Sequence, residues 1–226
     1  LRLAFIQHRL MAVGLKGVQQ QRSIADAFAQ DLSGQSLVDM MTLNMIVGSG
    51  GVLSHSPRRV QGALMMVDGF MPEGFTELTV DSIFMMPQLG VLSTVNEQAA
   101  LQVFSKDCLI RLGFCIAPRG KVRDGQPVMT VELRGAGENQ RHQVLGGQIQ
   151  LIPLPADAKL RAVVTPGKGL DVGGGPGHVV EREITGGVVG LILDGRGRPF
   201  ELPKDRTARV AKLTEWNRAL TVYPDA

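Results

Sequence analysis

The sequence predicts an α/β layered part over residues 1–107, followed by a glycine-rich β part over residues 108–226 that ends in a helix. Three observations predict this. Up to residue 107 short apolar runs alternate with segments of helical spacing, the pattern of a layered α/β architecture. Beyond Cys108 the helical spacing gives way to strand-like segments cut by Gly-rich turns, which suits a small barrel or sandwich. A hydrophobic fraction of 44% with 20% charged residues supplies a core and argues against disorder.

Each element follows from its local pattern. Leu3, Ile6, Leu10 and Val13 recur at helical spacing, and Ile24, Phe28 and Leu32 repeat it after a Gln-rich link. The apolar run Leu43 to Val47 reads as a buried strand that enters the turn Gly48-Ser49-Gly50-Gly51. Ser56 and Pro57 predict a helix start, Val60, Leu64 and Val67 its buried face, and Asp68-Gly69 its end. A second strand is predicted between Glu77 and Met85, then a loop at Pro87-Gln88-Leu89-Gly90. Thr94 and Glu97 form a capping box for a helix carrying Ala100, Leu101 and Phe104. In the second part CLIRLGFCIAP, QPVMTVEL, QIQLIPL and GGVVGLILD read as strands, with turns at Arg123-Asp124-Gly125 and Asp194-Gly195-Arg196. Residues 204–220 return to helix, with Val210, Leu213 and Trp216 on one face.

Composition excludes several classes. The 24 basic and 21 acidic residues leave +3, and no run of Lys or Arg concentrates that charge into a nucleic-acid footprint. One Trp and one Tyr offer little surface for base stacking. No stretch reaches the roughly 20 uninterrupted apolar residues of a membrane span, and Gln7, His8 and Arg9 break the opening run, so no signal peptide is expected. Cys108 and Cys115 fit no metal or redox spacing, which points to a reducing, cytoplasmic setting. His8, His55, His142 and His178 share no ligand spacing, so no metal held by Cys or His is expected. There is no GxxxxGK[ST], GxSxG, HExxH or CxxC motif.

Three stretches carry candidate chemistry. In the strand–GSGG–helix segment the glycines let the backbone turn sharply and approach a flat or anionic ligand; an ordinary tight connection is the plainer alternative. Gly173, Gly174 and Gly175 resemble a phosphate-cradling nest, with Asp171 placed for a metal-bound water; the alternative is a structural turn. Arg196 and Arg198 put two guanidinium groups on a hairpin, to hold a phosphate or a partner's carboxylate, or else to sit in solvent.

The strings IVGSGGVLSH, PEGFTELTVDSIFMMPQLGVLS, FSKDCLIRLGFCIAPRG, LDVGGGPG and GLILDGRGRPFELP resemble the glutamate-mutase-associated MutL (GlmL) family, which is unrelated to the mismatch-repair protein of similar name. The resemblance implies the C-terminal lobe of an actin-like ATPase fold, with Gly48, Ser49, Gly50 and Gly51 on the adenosine side of a nucleotide site. It implies ATP with magnesium as the cofactor of the full-length protein. The partners it implies are the subunits of a cobalamin-dependent carbon-skeleton mutase, or a missing N-terminal half. The family's N-terminal Asp-x-Gly phosphate loop has no counterpart here, so no catalytic residue is assigned. The chain is expected to be the C-terminal part of an accessory ATPase for reactivation or cofactor exchange, inactive alone. The rival expectation is a non-catalytic module that docks a partner through its β part.

Overall fold

The computed structural model describes residues 1–11, 38–135 and 139–224. The expected helical positions Val13, Ile24, Phe28 and Leu32 lie outside them. Helix α1 spans Arg2–Met11, and a 3-10 turn at Met40–Thr42, capped by the Asp39 carboxylate, leads into strand β1, Met45–Gly48. A single turn of helix, α2 (Gly51–Ser54), and helix α3 (Arg59–Phe70) connect β1 to β2, Gly74–Asp81. Helices α4 (Met86–Ser93) and α5 (Glu97–Val103) and a π-helical turn at Phe104–Cys108 precede β3, Leu109–Ala117. Then come β4 (Pro127–Arg134), β5 (Gln140–Leu145), β6 (Ile149–Ile152), β7 (Lys159–Pro166), β8 (Val180–Thr185), β9 (Gly190–Asp194) and helix α6 (Arg206–Ala219).

Two open sheets form. One runs β1-β2-β3-β9-β6, the other β5-β4-β7-β8. In the first, β1 and β2 are parallel, β2 and β3 antiparallel, β3 and β9 parallel, and β6 antiparallel to β9. The second is antiparallel throughout. The mixed α/β class is as the sequence predicts. The barrel alternative is corrected: no sheet closes on itself, because β5 and β8 remain edges. The five-stranded sheet takes strands from both sides of residue 108, so the expected division falls inside a hydrogen-bonded layer.

Period-2 alternation places the two cores. Leu78, Val80, Leu112, Cys115 and Ile192 face a helical layer that contributes Val60, Ala63, Met66, Val67 and Trp216. Phe75, Ile116, Leu191 and Leu193 point the other way, onto Met129, Val131, Val144, Ala162, Val164 and Ile184 of the second sheet. The layers are therefore helix, sheet, sheet. A bulge lets β3 switch faces: Leu78 pairs with Gly113 and Thr79 with Arg111, leaving Leu112 over. Gly113 sits at φ +131° opposite Gly190, and a Cβ there would lie 1.8 Å from the Gly190 carbonyl oxygen.

Several local expectations are corrected. Pro87 lies within a helix rather than a loop, since the first turn of a helix needs no N–H from it. The buried Asp81 carboxylate accepts from Met86 N–H at 2.9 Å and so supports that turn. Asn96, not Thr94, caps α5, accepting from Ala99 N–H at 3.0 Å. The α3 helix starts after Ser56, at Arg59, and the Ser56 hydroxyl donates back to the Leu53 carbonyl. On α1, Phe5 and Ile6 rather than Leu3 pack inward, and Phe5 meets Phe70 edge-on at 5.2 Å. On α6 only Trp216 is buried, its indole N–H donating to Gly147 at 2.8 Å, while Val210 and Leu213 stay exposed.

Candidate functional site

The turn after β1 opens onto a cleft of about 1140 Å³. Ser49, Gly50, Gly51 and His55 form one part of its wall. The exposed side of α3 adds Gln61, Leu64, Met65 and Asp68. Leu213 and Asn217 of α6, the tail residues Val222 and Tyr223, and Arg2, Phe200 and Leu202 complete it. The lining is mostly apolar with a few polar groups, the usual make-up of a small-molecule site.

The glycines of the turn have different duties. Gly48 packs inward, where a Cβ would come within 2.9 Å of the Met66 sulfur, and it does not line the cleft. Gly50 has φ +95°, a conformation that favours glycine, and it starts the α2 turn by accepting from Leu53 and Ser54. Gly51 has neither constraint: no atom lies within 4 Å of its Cβ position. Nothing inside the protein requires glycine there, and the vacant space adjoins the cleft. The Ser49 hydroxyl is buried without a hydrogen-bond partner among the described residues.

The GGG loop lies away from the cleft, and none of its residues lines it. Asp171 Oδ1 accepts from Gly173 N–H at 2.7 Å and Gly175 N–H at 2.9 Å. Two donors of the expected nest, the N–H groups of Gly173 and Gly175, are therefore already engaged by a carboxylate of the same loop. Gly174 is held for packing, since a Cβ would sit 2.7 Å from Val180 Cγ2.

Arg196 and Arg198, expected on a hairpin either to hold a phosphate or a partner's carboxylate or to sit in solvent, do neither. Both side chains are inside, 1% and 0% exposed. Arg196 grips Asp194 with Nε at 3.0 Å and Nη2 at 2.8 Å, and Nη2 also reaches Asp68 at 2.8 Å. Its guanidinium lies 4.4 Å from the Phe200 ring centroid and 4.8 Å from that of Trp216. Arg198 donates to Asp194 Oδ2, to the Pro72 carbonyl and to the Gly197 carbonyl. Two arginines and two aspartates thus form a neutral internal network, rather than a grip for a partner. Burial opposes ionisation of Asp194, but Arg196 and Arg198 outweigh it and hold its carboxyl below the usual range. Asp68, at the cleft, is raised instead, because burial there exceeds the pull of Arg196.

Sequence reasoning named the GSGG turn as a candidate, and missed Asp68, Gln61, Asn217 and Tyr223. One signal was available for Asp68: a carboxylate within the apolar run LMMVDGF needs a partner or a purpose. Among the described residues no group of His, Cys, Asp or Glu gathers to hold a metal ion, and no helix is long and apolar enough to cross a membrane. No curated protein and no solved structure matches the chain. Residues 3–108, which carry the GSGG turn, α3 and β2, match the model of the MutL protein family, in agreement with the resemblance to the glutamate mutase-associated MutL family.

Proposed function

We propose that the cleft beside the GSGG turn holds the nucleoside end of ATP. In this reading the chain is the adenosine-binding lobe of an actin-like accessory ATPase, serving a cobalamin-dependent carbon-skeleton mutase by reactivation or cofactor exchange. The observation that carries it is Gly51: it lines the cleft in the turn that follows a parallel strand, and the space where its side chain would stand is empty. A ligand that approaches the backbone there explains a glycine that the fold does not need. The match of residues 3–108 to the MutL family model supports the link to glutamate mutase. The phosphates and magnesium would be held by a second lobe, since the GGG loop has already committed the N–H groups of Gly173 and Gly175 to Asp171. The partners are the mutase subunits and that second lobe.

Gly51→Val tests the assignment more cleanly than a change at Gly50, whose φ of +95° would be strained by any side chain. The added Cβ has open space around it, so the variant should keep its melting temperature. Its affinity for adenosine nucleotides should fall at least about tenfold, or 1.4 kcal/mol, in a calorimetric titration. A folded Gly51→Val variant with unchanged nucleotide affinity would sink the proposal. Binding to mutase subunits with no nucleotide binding at all would favour a docking module instead.

A further inference from the structure

The cleft contains a carboxylate that the GSGG motif does not explain. Asp68 projects from α3 into the lining, and its side chain is 36% exposed. Only one of its oxygens is used: Oδ1 accepts from Arg196 Nη2 at 2.8 Å, and no hydrogen bond reaches Oδ2 among the described residues. The supporting arginine cannot swing away. It is clamped on Asp194 through two nitrogens and stacked against Phe200 and Trp216. Asp68 is therefore held in a fixed orientation by a buried cation, with its second oxygen left for something else.

We propose that Asp68 is a ligand-binding residue whose free oxygen accepts a hydrogen bond from a hydroxyl or amino group of the nucleoside. The inference rests on the reading of the cleft as a nucleoside site. A carboxylate is an acceptor only, so it matches the O–H groups of a ribose or the exocyclic N–H of a base. It does not match a phosphate, which also only accepts. Asp68 thus selects which end of the ligand enters, and directs the phosphates away from this wall. Burial raises its pKa, which indicates a carboxylate short of compensating donors, and a ligand donor would supply one. Independently, the Ser49 hydroxyl is buried in the same lining without a partner, so two polar groups of this cleft await a ligand.

The test is a calorimetric titration of the 226-residue chain and its Asp68→Asn variant with adenosine, 2′,3′-dideoxyadenosine and purine riboside. In the variant the amide oxygen stays with Arg196, which turns the NH₂ group, a donor, toward the ligand's donor. Adenosine affinity should drop at least about tenfold, as for a lost hydrogen bond to a charged group. In the wild-type chain one analogue should bind correspondingly more weakly than adenosine, and that difference should vanish in the variant. Weak binding of the dideoxy compound assigns the contact to the ribose; weak binding of purine riboside assigns it to the amino group. Equal binding of all three by the wild-type chain overturns the proposal but leaves the nucleoside reading intact, and needs no variant to fold. So does wild-type adenosine affinity in a folded Asp68→Asn protein. A wild-type chain that binds none of the three overturns both.

Discussion

Arg196 and Arg198 meet at Asp194, a carboxylate with no exposure, and each arginine depends on the others' charges to remain inside. Removing one partner from such a network leaves the remaining charges uncompensated, which costs about 3–5 kcal/mol. Arg196→Ala should therefore lower the urea midpoint sharply, whereas the same change on a solvated hairpin would move stability by no more than about 0.5 kcal/mol. Burial of these charges was not legible in the sequence. The stretch DGRGRP has the composition of a turn, and the partner that completes it, Asp68, is 128 residues away. The GSGG turn was legible because its cause is local: a short apolar strand must end, and glycines let it turn. The GGG loop stayed open between a nest and a structural turn for a related reason, since glycine spacing does not reveal whether an aspartate two residues earlier has taken the N–H groups.

At the scale of elements, apolar runs betrayed β1, β3, β4, β6 and β9, each of which has at least one face in a core. Strands β5, β7 and β8 were harder to read. QRHQVL and VEREIT are mostly polar because they form the edges of the second sheet, and only one face of each meets a core. Helix α4 was hidden by Pro87 and Gly90, which look like a loop until the Asp81 side chain is seen to support the first turn. The junction of β3 and β9 gives the sharpest test at this scale. Gly113→Ala would combine a strained φ with a Cβ 1.8 Å from a backbone oxygen that cannot move without breaking the parallel pair. The strain alone costs about 1–3 kcal/mol, so chemical denaturation should show at least that loss. A variant as stable as the parent would mean that β3 does not pair with β9 through this crossing.

For the whole molecule, the expected break at residue 108 was a change of texture, and the sheet that crosses it joins two textures in one layer. Composition reports what each segment buries, not which segment it pairs with. The proposed site lies on one side of this body, open along the cleft, and offers no arrangement for an in-line attack on a γ-phosphate. Phosphoryl transfer needs the phosphate, its metal and a water held together. The 226-residue chain should accordingly release no phosphate from magnesium ATP above background, with Asp171→Asn indistinguishable from it. Robust turnover abolished by that substitution would restore the GGG loop as a phosphate site.

The cleft is assembled from distant parts of the chain: Arg2 donates to the Phe200 carbonyl at 3.1 Å across 198 residues, and α6 and the tail supply another wall. During synthesis α6 leaves the ribosome after every strand has emerged. Until then the cleft that Leu64 and Met65 line lacks the wall that α6 and the tail supply, and incomplete apolar surfaces favour association. A small ligand or a chaperone present at that moment has a different surface to meet from the one on the finished protein. Changes in α6 should consequently be felt first as poor yield in the cell, before any loss of affinity is measured in what survives.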